Sequence, residues 1–154
     1  MAIQFDDIDR KILNTLQRDA SLSMEDLGET VGLSRNACWR RLKALEAAGA
    51  IKGRVAILDA PTLGLPLTVF VQVRTHSHDQ DWAKKFARAT SAIPEIQGVF
   101  RMSGDLDYLI RIQARDVADY DRIYQKLIAQ VPLQDVSASF VMEHIKDSHQ
   151  LYLP

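Results

Sequence analysis

The spacing of apolar residues changes along the chain, and this change divides the sequence into two parts. Before Gly49, apolar residues recur every three or four positions, which predicts amphipathic helices. From Leu67 onward, strand-like runs rich in Val and Phe alternate with helical patterns. A turn-rich stretch at 59–64 lies between them and is typical of a connection. We therefore expect two domains, residues 1–60 and residues 61–154.

Three short helices are predicted in the first domain, at 6–18, 24–31 and 35–48. Ser23 and Ser34 precede the second and third helices as N-caps, and Gly32 and Gly49 supply left-handed stops. Three helices with a tight turn between the last two are the layout of a helix-turn-helix. A strand-like pattern at 51–58 follows, so the expected domain is winged-helix-like.

The second domain is predicted to have the element order βαββαβ. Strands are expected at 67–74, 96–102, 108–113 and 136–142, and Asp79 and Asp116 mark the beginnings of two helices. This order is that of a ferredoxin-like sandwich, so the fold class is α+β.

Two helices cover only one face of such a sheet, and the other face is too apolar for water. The pattern leaves open which set of strand residues lies there: some of Val69, Val71 and Val73 or Phe70, with Ala138, Phe140 and Met142 or Val141. An exposed apolar sheet face predicts a partner, most simply a second copy of the chain.

Four segments resemble the Lrp/AsnC (feast/famine) family of transcriptional regulators, in the family's order and spacing. They cover almost the whole chain: Ile8-Asp9-Arg10-Lys11-Ile12-Leu13 through Asp19; Val31-Gly32-Leu33-Ser34 through Cys38, Arg41, Leu45-Glu46 and Gly49; Leu58-Asp59 through Leu63-Gly64; and Ser103-Gly104-Asp105-Leu106-Asp107-Tyr108. The resemblance implies a DNA-binding regulator whose assembly responds to a small effector, an amino acid. It also implies a homodimer that assembles further, to a tetramer or octamer.

The chain departs from the family pattern at three positions. Gly28 stands where alanine is usual, Leu106 replaces a frequent aromatic residue, and Leu133 stands where glycine is common. The change at Leu106 lies in the expected effector loop, so it affects which effector is bound. Cys38-Trp39 together with Arg101-Met102-Ser103-Gly104-Asp105 resembles the branch that includes cysteine-responsive regulators. An architectural DNA-binding protein without an effector is the alternative function.

The positive charge is concentrated in the stretch 34–54, which holds six cationic residues and a single acid, Glu46. On the third helix, Cys38 faces inward, and Asn36, Arg40 and Lys43 fall on the opposite face. Arginine can bond guanine and asparagine adenine, whereas cations near the ends of the helix are placed for phosphates. The predicted DNA-binding residues are Ser34, Arg35, Asn36, Trp39, Arg40, Lys43, Lys52 and Arg54.

Other interpretations of this helix concern single residues. Any surface helix carries Arg and Lys, so Arg40 or Lys43 alone is weak evidence for DNA binding, whereas the whole set of cations within a helix-turn-helix is stronger evidence. Arg41 leans toward the scaffold, which favours an ion pair with an acid of the first helix such as Asp9. Trp39 packs either on the sugar-phosphate backbone or on a neighbouring helix. Cys38 is expected in the core, where a small buried thiol fits. The alternative is a redox switch, which needs an exposed, activated thiolate.

A short turn between two predicted strands is the expected effector loop. Its glycine allows close backbone approach, its N–H groups can hold a carboxylate, and Asp105 or Asp107 can accept from an ammonium. The alternative is an ordinary β-turn, since Gly and Asp are common in turns. By resemblance the pocket lies between dimers, where a neighbour's last strand contributes. The predicted effector-binding residues are Ser103, Gly104, Asp105, Asp107, Ser137 and Ser139.

Several function classes are not expected. The sequence contains no nucleophile–base set, phosphate loop or His-Glu-x-x-His motif. We therefore expect neither enzymatic activity nor a cofactor. His76 and His78 form a weak metal pair, so no metal is expected. No apolar run approaches the ~20 residues of a membrane span. The N-terminus does not resemble a secretory signal, and one cysteine fits the reducing cytoplasm.

Overall fold

A computed structural model describes residues 5–75 and 79–153, which form two compact units. The first unit contains the described residues up to Ala56 together with those from Ile145 onward, and the second contains Ile57–His144. The chain therefore crosses between the units twice. The predicted boundary after residue 60 lies near the first crossing, but it places the C-terminal tail with the second domain.

The first unit contains three helices, α1 (Asp7–Arg18), α2 (Met24–Val31) and α3 (Arg35–Ala47). Side chains of Asp6, Ser23 and Ser34 accept hydrogen bonds from the first turn of each helix, as their N-cap positions predict. The helices bury one shared apolar core, formed by Ile12, Leu13, Leu27, Val31, Cys38, Leu42 and Leu45. This arrangement confirms the predicted helical layout.

The turn between α2 and α3 is tight. Gly32 has φ +76°, a left-handed conformation that favours glycine. A Cβ atom at Gly28 would lie 2.8 Å from the carbonyl oxygen of Leu33. The turn therefore approaches α2 closely at Gly28.

The C-terminal tail packs on the first unit. The Gln17 side chain donates to the Leu151 carbonyl at 3.2 Å and accepts from the Leu151 amide at 2.6 Å. Leu153 packs partly buried against the helical core. No periodic pattern predicts this contact, because an extended tail held by two hydrogen bonds has no characteristic spacing.

The predicted strand at 51–58 is not formed. In the described part of the chain these residues pair with no strand, and Val55 and Ile57 are 85% and 68% exposed. A strand needs a neighbour to accept and donate its backbone hydrogen bonds, and the single chain provides none. The first unit thus has the three helices without a paired wing.

The second unit has the predicted order βαββαβ, with β1 (Leu67–Arg74), α4 (Gln80–Ser91), β2 (Ile96–Arg101), β3 (Tyr108–Ala114), α5 (Val117–Ile128) and β4 (Asp135–Phe140). Its sheet is antiparallel with strand order β2-β3-β1-β4. The two helices cover one face and bury Val69, Val71 and Val73 against α4 and α5 side chains such as Phe86 and Ile123. The α+β fold class is confirmed.

The opposite sheet face is uncovered over its centre. Strand alternation and the register Phe70↔Ser139 and Phe70↔Arg111 place these three side chains on it, beside Leu109. At one end, Thr68 donates to Gln113 at 3.0 Å, and both are buried. Of the two sets that the sequence left open, the one containing Phe70 and Val141 lies here. We refer to this surface as the open sheet face.

No helix among residues 5–75 and 79–153 is long and apolar enough to cross a bilayer.

Candidate DNA-binding surface and effector loop

Helix α3 presents a buried face and an exposed face. Cys38, Leu42 and Leu45 are 0–4% exposed, whereas Asn36 and Arg40 on the other side are exposed. Trp39 is 51% exposed on the flank. The division arises because α3 is fixed to α1 and α2 through its apolar stripe, which leaves the polar stripe free to enter a groove.

The N-terminus of α3 adds positive electrostatic potential to this surface. Ser34 occupies the N-cap and accepts from the Ala37 amide at 3.4 Å, so its hydroxyl proton remains free to donate. Arg35 is the first residue of the helix and is exposed. Together they place a hydroxyl and a guanidinium where the helix dipole favours an anion.

Two of the predicted DNA-binding cations share one carboxylate. Glu46 accepts from Lys43 Nζ through Oε2 at 2.8 Å and from Arg54 Nη2 through Oε1 at 2.8 Å. The hydrogen bond from Lys43, with smaller contributions from the charges of Lys43 and Arg54, lowers the pKa of Glu46. A role for Glu46 in holding these cations was not predicted; its i,i+3 spacing from Lys43 was the available signal.

Arg41 forms the predicted ion pair with α1. Its Nη1 lies 2.9 Å from Asp9 Oδ1 and also 2.7 Å from Asp6 Oδ2. Asp6 is the N-cap of α1, so one guanidinium ties α3 to the beginning of the first helix. The hydrogen bonds that Arg41 donates, first to Asp6 and then to Asp9, raise the pKa of Arg41. Arg41 therefore contributes to the attachment of α3 to the scaffold.

Cys38 lies in the core, as predicted. Its side chain is fully buried among apolar residues, and the loss of hydration raises the pKa of the thiol. A buried, protonated thiol is a poor nucleophile, so the environment is that of a small apolar residue.

The two aspartates of the predicted effector loop have different environments. Asp107 Oδ2 accepts from the Thr75 amide at 2.8 Å, and its backbone bonds to Val73 and Met102. Asp105 is exposed, and within the described residues its carboxylate makes no hydrogen bond or ion pair. Asp107 thus holds the end of β1 to the loop, whereas Asp105 is free for a ligand.

Arg74 joins this loop to β4, a contact that the sequence analysis missed. Its Nε donates to the Asp105 carbonyl at 2.8 Å and its Nη1 to Asp135 at 3.0 Å. Arg74 ends β1, and Asp135 begins the neighbouring antiparallel strand. The signal available was an arginine at the end of an apolar strand, which by itself is ambiguous.

The remaining predicted effector residues lie around this junction. Ser103 and Gly104 are exposed, and Gly104 has φ +106°, which glycine tolerates best. Ser137 is two residues from Asp135 on the open sheet face. Ser139 is farther along the same strand, about 13 Å from Asp135 at ~3.3 Å per residue. One subunit therefore brings Asp105 and Arg74 together but leaves Ser139 apart.

The His76 and His78 pair lies outside the described residues. Among residues 5–75 and 79–153, no cluster of three or more His, Cys, Asp or Glu side chains could hold a metal ion.

Two family models match the chain in succession. The AsnC-type helix-turn-helix domain matches residues 5–46, which include α1, α2 and all but the last residue of α3. The Lrp/AsnC ligand binding domain matches residues 68–151, which include all of the sheet except Leu67, and the loop after β2.

Relatives with similar sequences match along nearly their full length. The glutamate uptake regulatory protein of Zymomonas mobilis is 48% identical over all of this chain and 94% of its own. The DNA-binding transcriptional activator DecR of Escherichia coli is 46% identical over 92% of this chain and 93% of its own. Both names describe regulators rather than enzymes.

Solved structures show the same fold. An AsnC family transcriptional regulator from Agrobacterium tumefaciens superposes with a TM-score of 0.92 and 45% identity, covering 96% of this chain and 97% of its own. A transcriptional regulator from Neisseria meningitidis in complex with L-Met superposes with a TM-score of 0.92 and 32% identity, covering 97% of both chains.

Proposed function

Because this chain belongs to the Lrp/AsnC family of transcriptional regulators, we propose that α3 reads operator DNA and that an amino acid bound at the loop after β2 modulates this binding. The observation that carries the proposal is the exposed polar face of α3, held on a buried apolar face inside the matched helix-turn-helix. The matched ligand-binding domain accounts for the second half of the chain.

The roles of the DNA-binding residues follow from their positions on α3. Arg40 and Asn36 project away from the core and are assigned to base edges. Ser34 and Arg35 at the helix N-terminus, and Lys52 beyond its end, are assigned to phosphates. The exposure of Trp39 supports packing on the sugar-phosphate backbone.

For the effector we propose a free amino acid held by opposite charges. Asp105 offers an exposed carboxylate for the ammonium, and Arg74, which bonds the Asp105 carbonyl, offers a guanidinium for the carboxylate. The relative crystallised with L-Met supports this ligand class. Asp107, predicted earlier as a ligand residue, is assigned to the turn because its carboxylate is occupied by the Thr75 amide.

Thermal unfolding in the presence of each of the twenty amino acids tests this assignment. A ligand at about 100 times its dissociation constant adds ~2.7 kcal/mol to the free energy of unfolding, which raises the melting temperature measurably. We expect one amino acid, or a few of similar shape, to do so. No shift with any of them would favour the architectural alternative.

We further propose that two copies pack through the open sheet face. Phe70 and Leu109 are only partly covered there, and in the described residues Arg111 Nε is buried without a hydrogen-bond partner. A second sheet would cover the apolar side chains and supply acceptors to the guanidinium. Relatives in this family form oligomers, and an amino acid that favours one assembly would shift the spacing of the DNA-binding units. We place this regulator in the cytoplasm, with its DNA.

Phe70→Glu is expected to convert the assembled protein to monomers at micromolar concentration, because it buries a charge between apposed sheets. Val117→Glu is the control, since Val117 is 60% exposed at the first residue of α5 and lies away from this face. Sedimentation velocity measures both. If Phe70→Glu remained folded and sedimented like wild type, the open sheet face would not be the interface.

A further inference from the structure

We propose that Glu46 is a specificity-determining residue, which restrains Lys43 and Arg54 so that they contribute little to the binding of DNA without an operator. The inference rests on the proposed DNA-binding function and adds a residue whose negative charge has the same sign as that of DNA. Acids are an unexpected component of a DNA-binding surface, because phosphates repel them.

The geometry gives each carboxylate oxygen one cation. Lys43 and Glu46 are neighbours on the surface of α3, and Arg54 reaches the same carboxylate from beyond the helix. The side chains of Lys43 and Arg54 are 56% and 37% exposed, whereas that of Glu46 is 28% exposed. The cations are therefore open to a ligand, and the carboxylate lies behind them.

The other cations of this stretch are not restrained by Glu46. Arg41 belongs to the α1 contact. Within the described part of the chain, Arg35, Arg40 and Lys52 form no ion pair. Removing a single acid would thus release two cations at once, beside three that are already available.

The restraint allows phosphate contact in one arrangement. Lys43 has three N–H donors and Arg54 has five, and Glu46 uses one of each, so both retain donors for phosphates. Their positions are fixed by the shared carboxylate, however, so only a helix seated in its operator presents phosphates at the required places. DNA without an operator is bound in many poses, and it gains most from free, mobile cations.

The same argument predicts the salt dependence. Each phosphate contact contributes about −0.9 to the slope of log affinity against log salt concentration on duplex DNA. Release of Lys43 and Arg54 should steepen the slope for a random-sequence duplex by about one to two units. The slope should change far less for a selected duplex, because the wild-type chain already contacts that duplex with both cations.

The test compares Glu46→Gln, which keeps the shape and loses the charge, with Glu143→Gln. Glu143 is an exposed acid of the second unit, so this control removes the same charge without changing a residue of the first unit. The probes are a duplex selected by the wild-type chain from a randomised pool and a random duplex of equal length, with fluorescence anisotropy at several salt concentrations. For Glu46→Gln we expect a roughly three- to tenfold gain on the random duplex at low salt, with a steeper slope, and less than a twofold gain on the selected duplex.

Two outcomes would overturn the inference alone: Glu46→Gln behaving like Glu143→Gln on the random duplex, or an equal gain on both duplexes. A wild-type chain that selects no sequence and binds DNA without salt dependence would instead overturn the proposed function, and this inference with it. Thermal unfolding curves of Glu46→Gln and Glu143→Gln show whether both variants are folded at the temperature of the binding measurements.

Discussion

Arg40→Ala is expected to lose most of the preference for the operator while keeping its affinity for other DNA. Arg40 lies on the exposed face of α3, opposite buried Cys38, and within the described residues no acid holds it. A bidentate contact from arginine to a base discriminates by about 1–3 kcal/mol, roughly 5- to 150-fold in the ratio of affinities. Anisotropy with a selected duplex and a random duplex measures this ratio.

Lys52→Ala is the matched control for this prediction. Lys52 lies beyond the end of α3, makes no ion pair among the described residues, and is assigned to a phosphate. Its loss should weaken binding to both duplexes by a similar factor and reduce the salt slope by about 1. The assignment of Arg40 to a base would be abandoned if both variants preserved the wild-type ratio of affinities.

Asp105→Ala is expected to weaken the amino-acid effector by one to two decades with little change in stability. The carboxylate is exposed and has no partner among the described residues, so folding loses nothing when it is removed. A charge-assisted hydrogen bond to an ammonium contributes about 1.5–3 kcal/mol, which corresponds to that loss of affinity. Titration calorimetry with the amino acid found by thermal unfolding gives the two dissociation constants.

Asp107→Ala is expected to show the opposite pattern. Its carboxylate accepts from the partly buried Thr75 amide, and an unsatisfied buried donor costs about 1–3 kcal/mol of unfolding free energy. Denaturant unfolding of the two variants, beside calorimetry, separates a ligand residue from a turn residue. Equal loss of stability in both, or unchanged ligand affinity in Asp105→Ala, would remove Asp105 from the effector site.

Local signals in the sequence were sufficient to predict most of the fold. Ser23, Ser34, Asp79 and Asp116 each precede a helix and accept a hydrogen bond from the amide of its third residue, which is why the helix beginnings were predicted closely. The β1 boundaries were also predicted, because the strand is an apolar run that ends in Arg74. These features depend on neighbours in the chain, and so they can be recognised there.

The parts that were missed depend on residues far apart in sequence. Arg74 meets Asp105 and Asp135 only because β1 lies beside β4 and the β2–β3 loop folds over its end. Residues 51–58 carry a strand pattern without a partner in the single chain. Each of these features depends on which distant segment lies alongside, and no local sequence pattern specifies that segment.

The most direct test of the account is binding of the wild-type chain to a selected duplex and a random duplex, each with and without the amino acid that raises its melting temperature. We predict a preference for the selected duplex of roughly 10³-fold or more, typical of specific recognition. The amino acid should change the affinity for that duplex by about 5- to 150-fold, the usual range of coupling between two sites. Equal affinity for both duplexes, with no change on adding any amino acid, would contradict the account.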